Sequence, residues 1–134
     1  ANFQGENMKI YETEISKKKK AHYSLATEHN GILYISGQLS MDPETRQIPE
    51  GLKAQTRQAL KNLDNVLKLA NATRNDILMC RIYTPDIDFW DEIDDEYALF
   101  FGEHKPARVV VPTNKLHFGC LLEIEATAIL DRKI

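Results

Sequence analysis

From Met8 to Glu14 apolar and polar residues alternate, the period of a strand with one buried face. Ala21-His22-Tyr23-Ser24-Leu25-Ala26-Thr27 reads as a second strand and Ile32-Leu33-Tyr34-Ile35-Ser36 as a third. Between them His29-Asn30-Gly31 supplies two residues that tolerate positive φ, which predicts a hairpin over residues 21 to 36. In Ser36-Gly37-Gln38-Leu39-Ser40 the glycine ends the strand and lets the backbone bend or approach a ligand. Asp42-Pro43-Glu44-Thr45-Arg46-Gln47 is a polar turn, and Pro49 suits a first helical turn. Ala59, Leu60, Leu63, Val66, Leu67 and Ala70 then recur at helical spacing, predicting a helix over about residues 50 to 71.

Asp76 to Thr84 is a fourth strand, stopped by Pro85, which has no N–H to donate to a sheet. Asp88 is placed as the N-cap of a second helix, with Asp91 three residues on. Phe89, Trp90, Ile93, Tyr97, Phe100 and Phe101 give that helix an aromatic core stripe, and Gly102 closes it. The fifth strand covers about 107 to 112 and the sixth about 119 to 130. On the sixth, Cys120, Leu122, Ile124, Ala126, Ala128 and Leu130 share one face, and Glu123, Glu125 and Thr127 the other.

The order β-β-β-α-β-α-β-β predicts a single α+β domain over residues 8–134, with two helices covering one face of a mixed sheet. Tyr34, Met79, Tyr83 and Val110 are assigned to the opposite face. A second copy of the chain is expected to cover them, making a homo-oligomer.

Composition narrows the classes. A chain of 134 residues favours one core, and 43% hydrophobic with 28% charged residues is ordinary for a globular protein. The net charge of −3 speaks against a duplex nucleic-acid partner, which would want a broad basic face. The one basic run, Lys17 to Lys20, reads as a solvated loop. Cys80 and Cys120 lie in apolar segments and read as reduced, buried thiols, which places the protein in the cytoplasm. No apolar run approaches the roughly 20 residues of a membrane span. Residues 1–7, ahead of Met8, look like a protease-tag scar and stand outside the fold.

Chemistry concentrates on the last two strands. Lys105-Pro106-Ala107-Arg108-Val109-Val110-Val111 sets one arginine in an apolar run read as a buried strand. A guanidinium there needs an anion, and its planar fork matches a carboxylate bidentately. Leu121-Leu122-Glu123-Ile124-Glu125-Ala126 repeats the pattern with the opposite charge. Arg108 could equally be an internal partner of Glu123 or Glu125, and Glu123 could merely face water on an alternating strand. An arginine beside Glu123 would keep it ionised, whereas burial would oppose that. Ser36 has no histidine–aspartate constellation to activate it. His22, His29, His104 and His117 are scattered, so neither a metal nor a cofactor is expected.

Four ordered blocks, Ser36-Gly37-Gln38, Tyr97-Ala98-Leu99-Phe100-Phe101, Pro106-Ala107-Arg108-Val109 and Glu123-Ile124-Glu125-Ala126, resemble the reactive intermediate deaminase family, RidA or YjgF. The likeness runs over about residues 9 to 130. It implies a chorismate-mutase-like fold of the bacillus type, in a homotrimer whose sheets surround a central β-barrel, with sites in the clefts between subunits. It also implies hydrolysis of 2-imino acids and their enamine tautomers, such as 2-aminoacrylate or 2-iminobutanoate, to 2-keto acids and ammonia. By the same resemblance Arg108 matches the carboxylate-binding arginine and Glu123 the glutamate that helps place the attacking water. Tyr23 matches a pocket tyrosine, and Ser36 and Gly37 the loop beside the substrate. The chain departs from the pattern at His22, where a proline is frequent, at Leu25 for glutamine, at Asp94 for asparagine, and at Val110 where some members carry cysteine. An endoribonuclease and a non-catalytic module that binds carboxylate metabolites are the competing readings.

Overall fold

The computed structural model describes residues 7–130, so most of the 1–7 leader lies outside the described residues. Six strands form one sheet: β1 (Lys9–Tyr11), β2 (Ala26–His29), β3 (Ile32–Leu39), β4 (Ile77–Thr84), β5 (Ala107–Pro112) and β6 (Glu123–Ile129). Among the described residues, helices α1 (Glu14–Lys19), α2 (Leu52–Leu69) and α3 (Trp90–Phe101) accompany them. The sheet order is β1-β2-β3-β6-β4-β5. All neighbours are antiparallel except β4 and β5, whose parallel pairing needs the crossover that α3 supplies.

Side-chain alternation decides what each face does. Leu33 and Ile35 of β3, Cys80 and Ile82 of β4, and Ile124, Ala126 and Ala128 of β6 are buried against Ala59, Leu60, Leu63, Val66 and Leu67 of α2 and Ile93, Tyr97 and Phe101 of α3. Arg57 and Glu96 lock the two helices together through a fork of 2.7 and 3.1 Å, on a carboxylate that is only 6% exposed. That charge-assisted pair holds the Glu96 carboxyl below its ordinary range.

The opposite face is open in the single chain. It carries Tyr34, Met79, Arg81, Tyr83, Glu123, Glu125 and Thr127 in one register. Arg81 Nη1 lies 3.5 Å from Glu125 Oε2, and the Tyr83 hydroxyl donates to Glu125 Oε1 at 2.6 Å. Tyr34 remains 51% exposed there. Val110 does not belong to this face. It sits opposite Ile82 and packs on the helix-side core, because the parallel register pairs Cys80 with Arg108.

Several local expectations are corrected. The Lys17–Lys20 run forms the last turn and C-cap of α1 rather than a loop. Thr13 and Ser16 make a capping box at its start, and its lysines oppose the negative end of the helix dipole. The second strand begins at Ala26, because residues 21–25 are a loop tied to β3 through Ser36 N–H to Leu25 O at 3.0 Å. The turn at Asn30 and Gly31 is as expected, with φ of 53° and 78°. β3 continues through Gly37 to Leu39 by shifting register between Ile35 and Gln38. Asp88 does not cap α3: Asp86 accepts from Asp88 N at 2.9 Å and caps a single 3-10 turn, and α3 starts at Trp90. β6 begins at Glu123, after a 3-10 turn at His117–Gly119. Among the described residues no helix is long and apolar enough to cross a membrane.

Leu63 is fully buried at the centre of the α2 face. Leu63→Ala is expected to cost about 2–5 kcal/mol through lost burial and the cavity left behind, measured by urea denaturation. A loss below about 1 kcal/mol would mean that α2 does not anchor the core as described.

Candidate functional site

β5 is an edge strand rather than a buried one: among the described residues it pairs with β4 alone, and Val109 is 41% exposed. The Arg108 side chain points to the helix side of that edge and meets α3. Its Nη1 donates to Asp94 Oδ1 at 2.7 Å, with the arginine side chain 19% and the aspartate 39% exposed. The guanidinium also lies over two rings of the same helix, 5.1 Å from the Trp90 centroid and 4.7 Å from that of Tyr97. Trp90, Asp94 and Tyr97 stand at i, i+4 and i+7 and so share one helical face.

This pair does not use up the arginine. Asp94 takes one hydrogen bond from a group with five donors, and no other partner is found for them among the described residues. A partly exposed single ion pair contributes at most about 1 kcal/mol. Both rings belong to α3, so an incoming anion is left the donors that face away from that helix. Beneath the guanidinium, the Tyr97 hydroxyl is buried against the Cys80 thiol, and burial first, then that contact, pushes its pKa far up. Cys80 itself is pushed up to about 11, chiefly by burial, which leaves it a protonated, unreactive thiol.

Glu123 lies elsewhere. It opens β6 on the far face of the sheet, opposite Tyr83 and Leu39. A Cβ placed on Gly37 would overlap the Glu123 carboxylate and lie 2.9 Å from its Cδ, so the glycine is what lets that carboxylate lie against the β3 backbone. Burial first, and then the charge of Glu125, raise the Glu123 pKa, while His117 lowers it. The sequence left the balance between burial and a neighbouring arginine open. Within one chain burial prevails, because Arg108 and Glu123 face opposite sides of the sheet.

Ser36 donates its hydroxyl to Ser24 O at 2.6 Å. Its proton is thereby committed to holding the 21–25 loop, and with it Tyr23, which is 61% exposed. Tyr23 opens onto a cavity of about 380 Å³ shared with Ile15, Leu25, Gln38, Asn62 and Val66. Neither Arg108 nor Glu123 lines it. The chain therefore brings Ser36 and Tyr23 together, sets Gly37 against Glu123, and holds Arg108 apart from all four. The sequence marks Asp94 as a departure from the family pattern that could alter pocket charge if it faces inward, and places Trp90 and Tyr97 in the core stripe. Their shared helical spacing with Asp94 was the signal that could have joined them to Arg108.

The family model described as endoribonuclease L-PSP matches residues 13–130. A RutC family protein of Pyrococcus horikoshii is 39% identical, over 87% of this chain and 93% of its own length. The 2-iminobutanoate/2-iminopropanoate deaminase of Mus musculus is 33% identical, over 80% of each chain. Among solved structures, E. coli TdcF with bound serine superposes with a TM-score of 0.78 at 28% identity, covering 81% of this chain and 88% of its own.

Because burial raises the Glu123 pKa above the ordinary 4.5, ionising this group costs the native state stability. Glu123→Gln is expected to raise Tm at neutral pH. Well below pH 4.5 the native and unfolded glutamate are both protonated and the gain is absent; it grows as pH rises from 4.5 toward the elevated native value and is constant above it. Thermal unfolding across pH measures this, and an equal Tm at every pH would show the carboxylate to be well solvated.

Proposed function

The chain belongs to the endoribonuclease L-PSP family, which includes the RidA/YjgF proteins, and on that premise we propose that it hydrolyses reactive 2-imino acids and their enamine tautomers to 2-keto acids and ammonia. The observation that carries this reading is Arg108: a guanidinium packed on two rings of α3, with donors to spare at an accessible edge. The mouse deaminase supports the same chemistry by its name.

Little else is needed from the protein. An imine carbon is already electrophilic, and more so when its nitrogen is protonated. Arg108 anchors the substrate carboxylate, with charge-assisted hydrogen bonds each worth about 1.5–3 kcal/mol. Glu123, in its ionised form, accepts a hydrogen bond from water and orients it toward the imine carbon. Holding the two reactants together supplies proximity, and no covalent nucleophile is invoked.

The division of the sheet then sets the assembly. Arg108 on the helix side and Glu123 on the open side cannot both reach one small substrate from a single chain. The working site is read as lying between copies, with Arg108 from one protomer and Gly37 and Glu123 from its neighbour, in a homotrimer. The exposed Tyr34 and the half-covered Met79, Tyr83 and Val111 of the open face suit burial in such an assembly.

Arg108→Ala is expected to lower imine hydrolysis at least a hundredfold while the protein stays folded. A threonine dehydratase generates the imine, and loss of the semicarbazide-trappable species is followed. Normal turnover by the variant would remove Arg108 from the site. A ribonuclease reading is favoured by the description of the matching family model. RNA cleavage by the wild type that Arg108→Ala abolishes, without imine turnover by either, would establish it instead.

Shared sites give a second expected outcome. Arg108→Ala and Glu123→Gln subunits, each inactive alone, should recover about a quarter of wild-type turnover when refolded together in equal amounts, since a random interface has one chance in four of pairing both intact halves. No recovery from well-assembled mixtures would place both groups on the same chain's site.

A further inference from the structure

We propose that Asp94 selects dipolar ligands over plain anions at Arg108, taking the cationic nitrogen of a protonated 2-imino acid while Arg108 takes its carboxylate. The inference builds on the Arg108 reading given above and deepens it by naming the charge state that the site accepts.

The pair at the β5 edge is neutral as a unit. Asp94 holds Nη1 at 2.7 Å through Oδ1 alone, and no partner is found for its Oδ2 among the described residues. Nothing on α3 balances it otherwise, because residues 90–101 contain no lysine or arginine. Asp91, Glu92, Asp95 and Glu96 add further negative charge to the same helix, of which only Glu96 has a fork partner, in Arg57. An incoming carboxylate therefore meets the free donors of Arg108 and, beside them, the negative charge of Asp94. Attraction and repulsion partly cancel, which discriminates against a ligand that is only an anion.

A zwitterion removes the conflict. Its nitrogen sits on the carbon next to its carboxylate, as the guanidinium and the Asp94 carboxylate lie side by side here, 2.7 Å apart. The carboxylate accepts from Arg108, and the protonated nitrogen donates to the unpartnered Asp94 oxygen. The rings of Trp90 and Tyr97 pack on the guanidinium and steady it beside Asp94, so the two charges are presented side by side. This arrangement favours the protonated, more electrophilic imine over its neutral form. It also favours release: the 2-keto acid product has lost the nitrogen and is left facing Asp94 as an anion alone. The serine bound to E. coli TdcF is a ligand of the dipolar kind on a related protein.

The test is isothermal titration of L-serine, a zwitterion, and 2-oxobutanoate, an anion, into the wild-type protein and Asp94→Asn. The asparagine keeps the shape and the acceptor but removes the charge. Wild type is expected to bind serine the more tightly, and in Asp94→Asn the ratio of the two Kd values should swing by about tenfold toward 2-oxobutanoate. If the ratio stays within twofold while both ligands still bind, the role of Asp94 is overturned and the Arg108 reading stands. If the wild type binds neither ligand, both are overturned. Should the asparagine variant fail to fold, Asp94→Ala carries the same comparison.

Discussion

The two-residue alternation of a β-strand governs this molecule's chemistry. In the parallel β4–β5 register Arg108 pairs with Cys80 and must point to the helices. In the antiparallel β4–β6 register Glu123 pairs with Tyr83 and must point away from them. A shift of either strand by one residue would reverse the side chain and bury a charge in the wrong place. Each chain thus offers Arg108 on one side of its sheet and Glu123 on the other, which is why the proposed site draws on more than one copy.

What holds these halves still is a small set of buried polar contacts around the helices. Gln55 Oε1 accepts from Ser40 Oγ at 2.7 Å and from Leu121 N at 2.9 Å, tying the end of β3 and the start of β6 to α2. Asn62 Nδ2 donates to Leu39 O at 3.0 Å and to Met41 O at 2.8 Å. These carboxamides fix the segment where Gly37 and Glu123 meet. The Arg57–Glu96 fork does the corresponding work for α3, and so for Trp90, Asp94 and Tyr97 beneath Arg108. His104 Nε2, 2.8 Å from Ile77 O, holds the loop that leads into β5. Buried polar groups must be satisfied, and here the partners that satisfy them are the ends of the functional strands.

Periodicity carried much of the fold. The α2 stripe, the β4 run bounded by Pro85, and the alternation of β6 were legible because burial on one face writes itself into the sequence. Local capping was less legible. Asp86 and Asp88 are both plausible caps, and only the backbone shows that Asp86 closes a single turn before α3 begins. The lysine run looked like a loop because charge masks helical propensity, while its Thr13 and Ser16 capping box lies upstream of it. The site was legible as residues but not as an arrangement. Arg108 and Glu123 stand out as charges in apolar strands, yet which side each takes depends on a register between strands distant in sequence. The assignment of Val110 to the wrong face has the same origin.

Gly37 leaves one more consequence. It sits where β3 changes register, and the volume a methyl group would need is already occupied by the Glu123 carboxylate. Backbone flexibility is therefore not what ties this position to glycine. The constraint comes from a side chain on another strand, so a residue larger than glycine here would displace the carboxylate from its place against β3. A lineage that abandoned the carboxylate would find this position free to acquire a side chain.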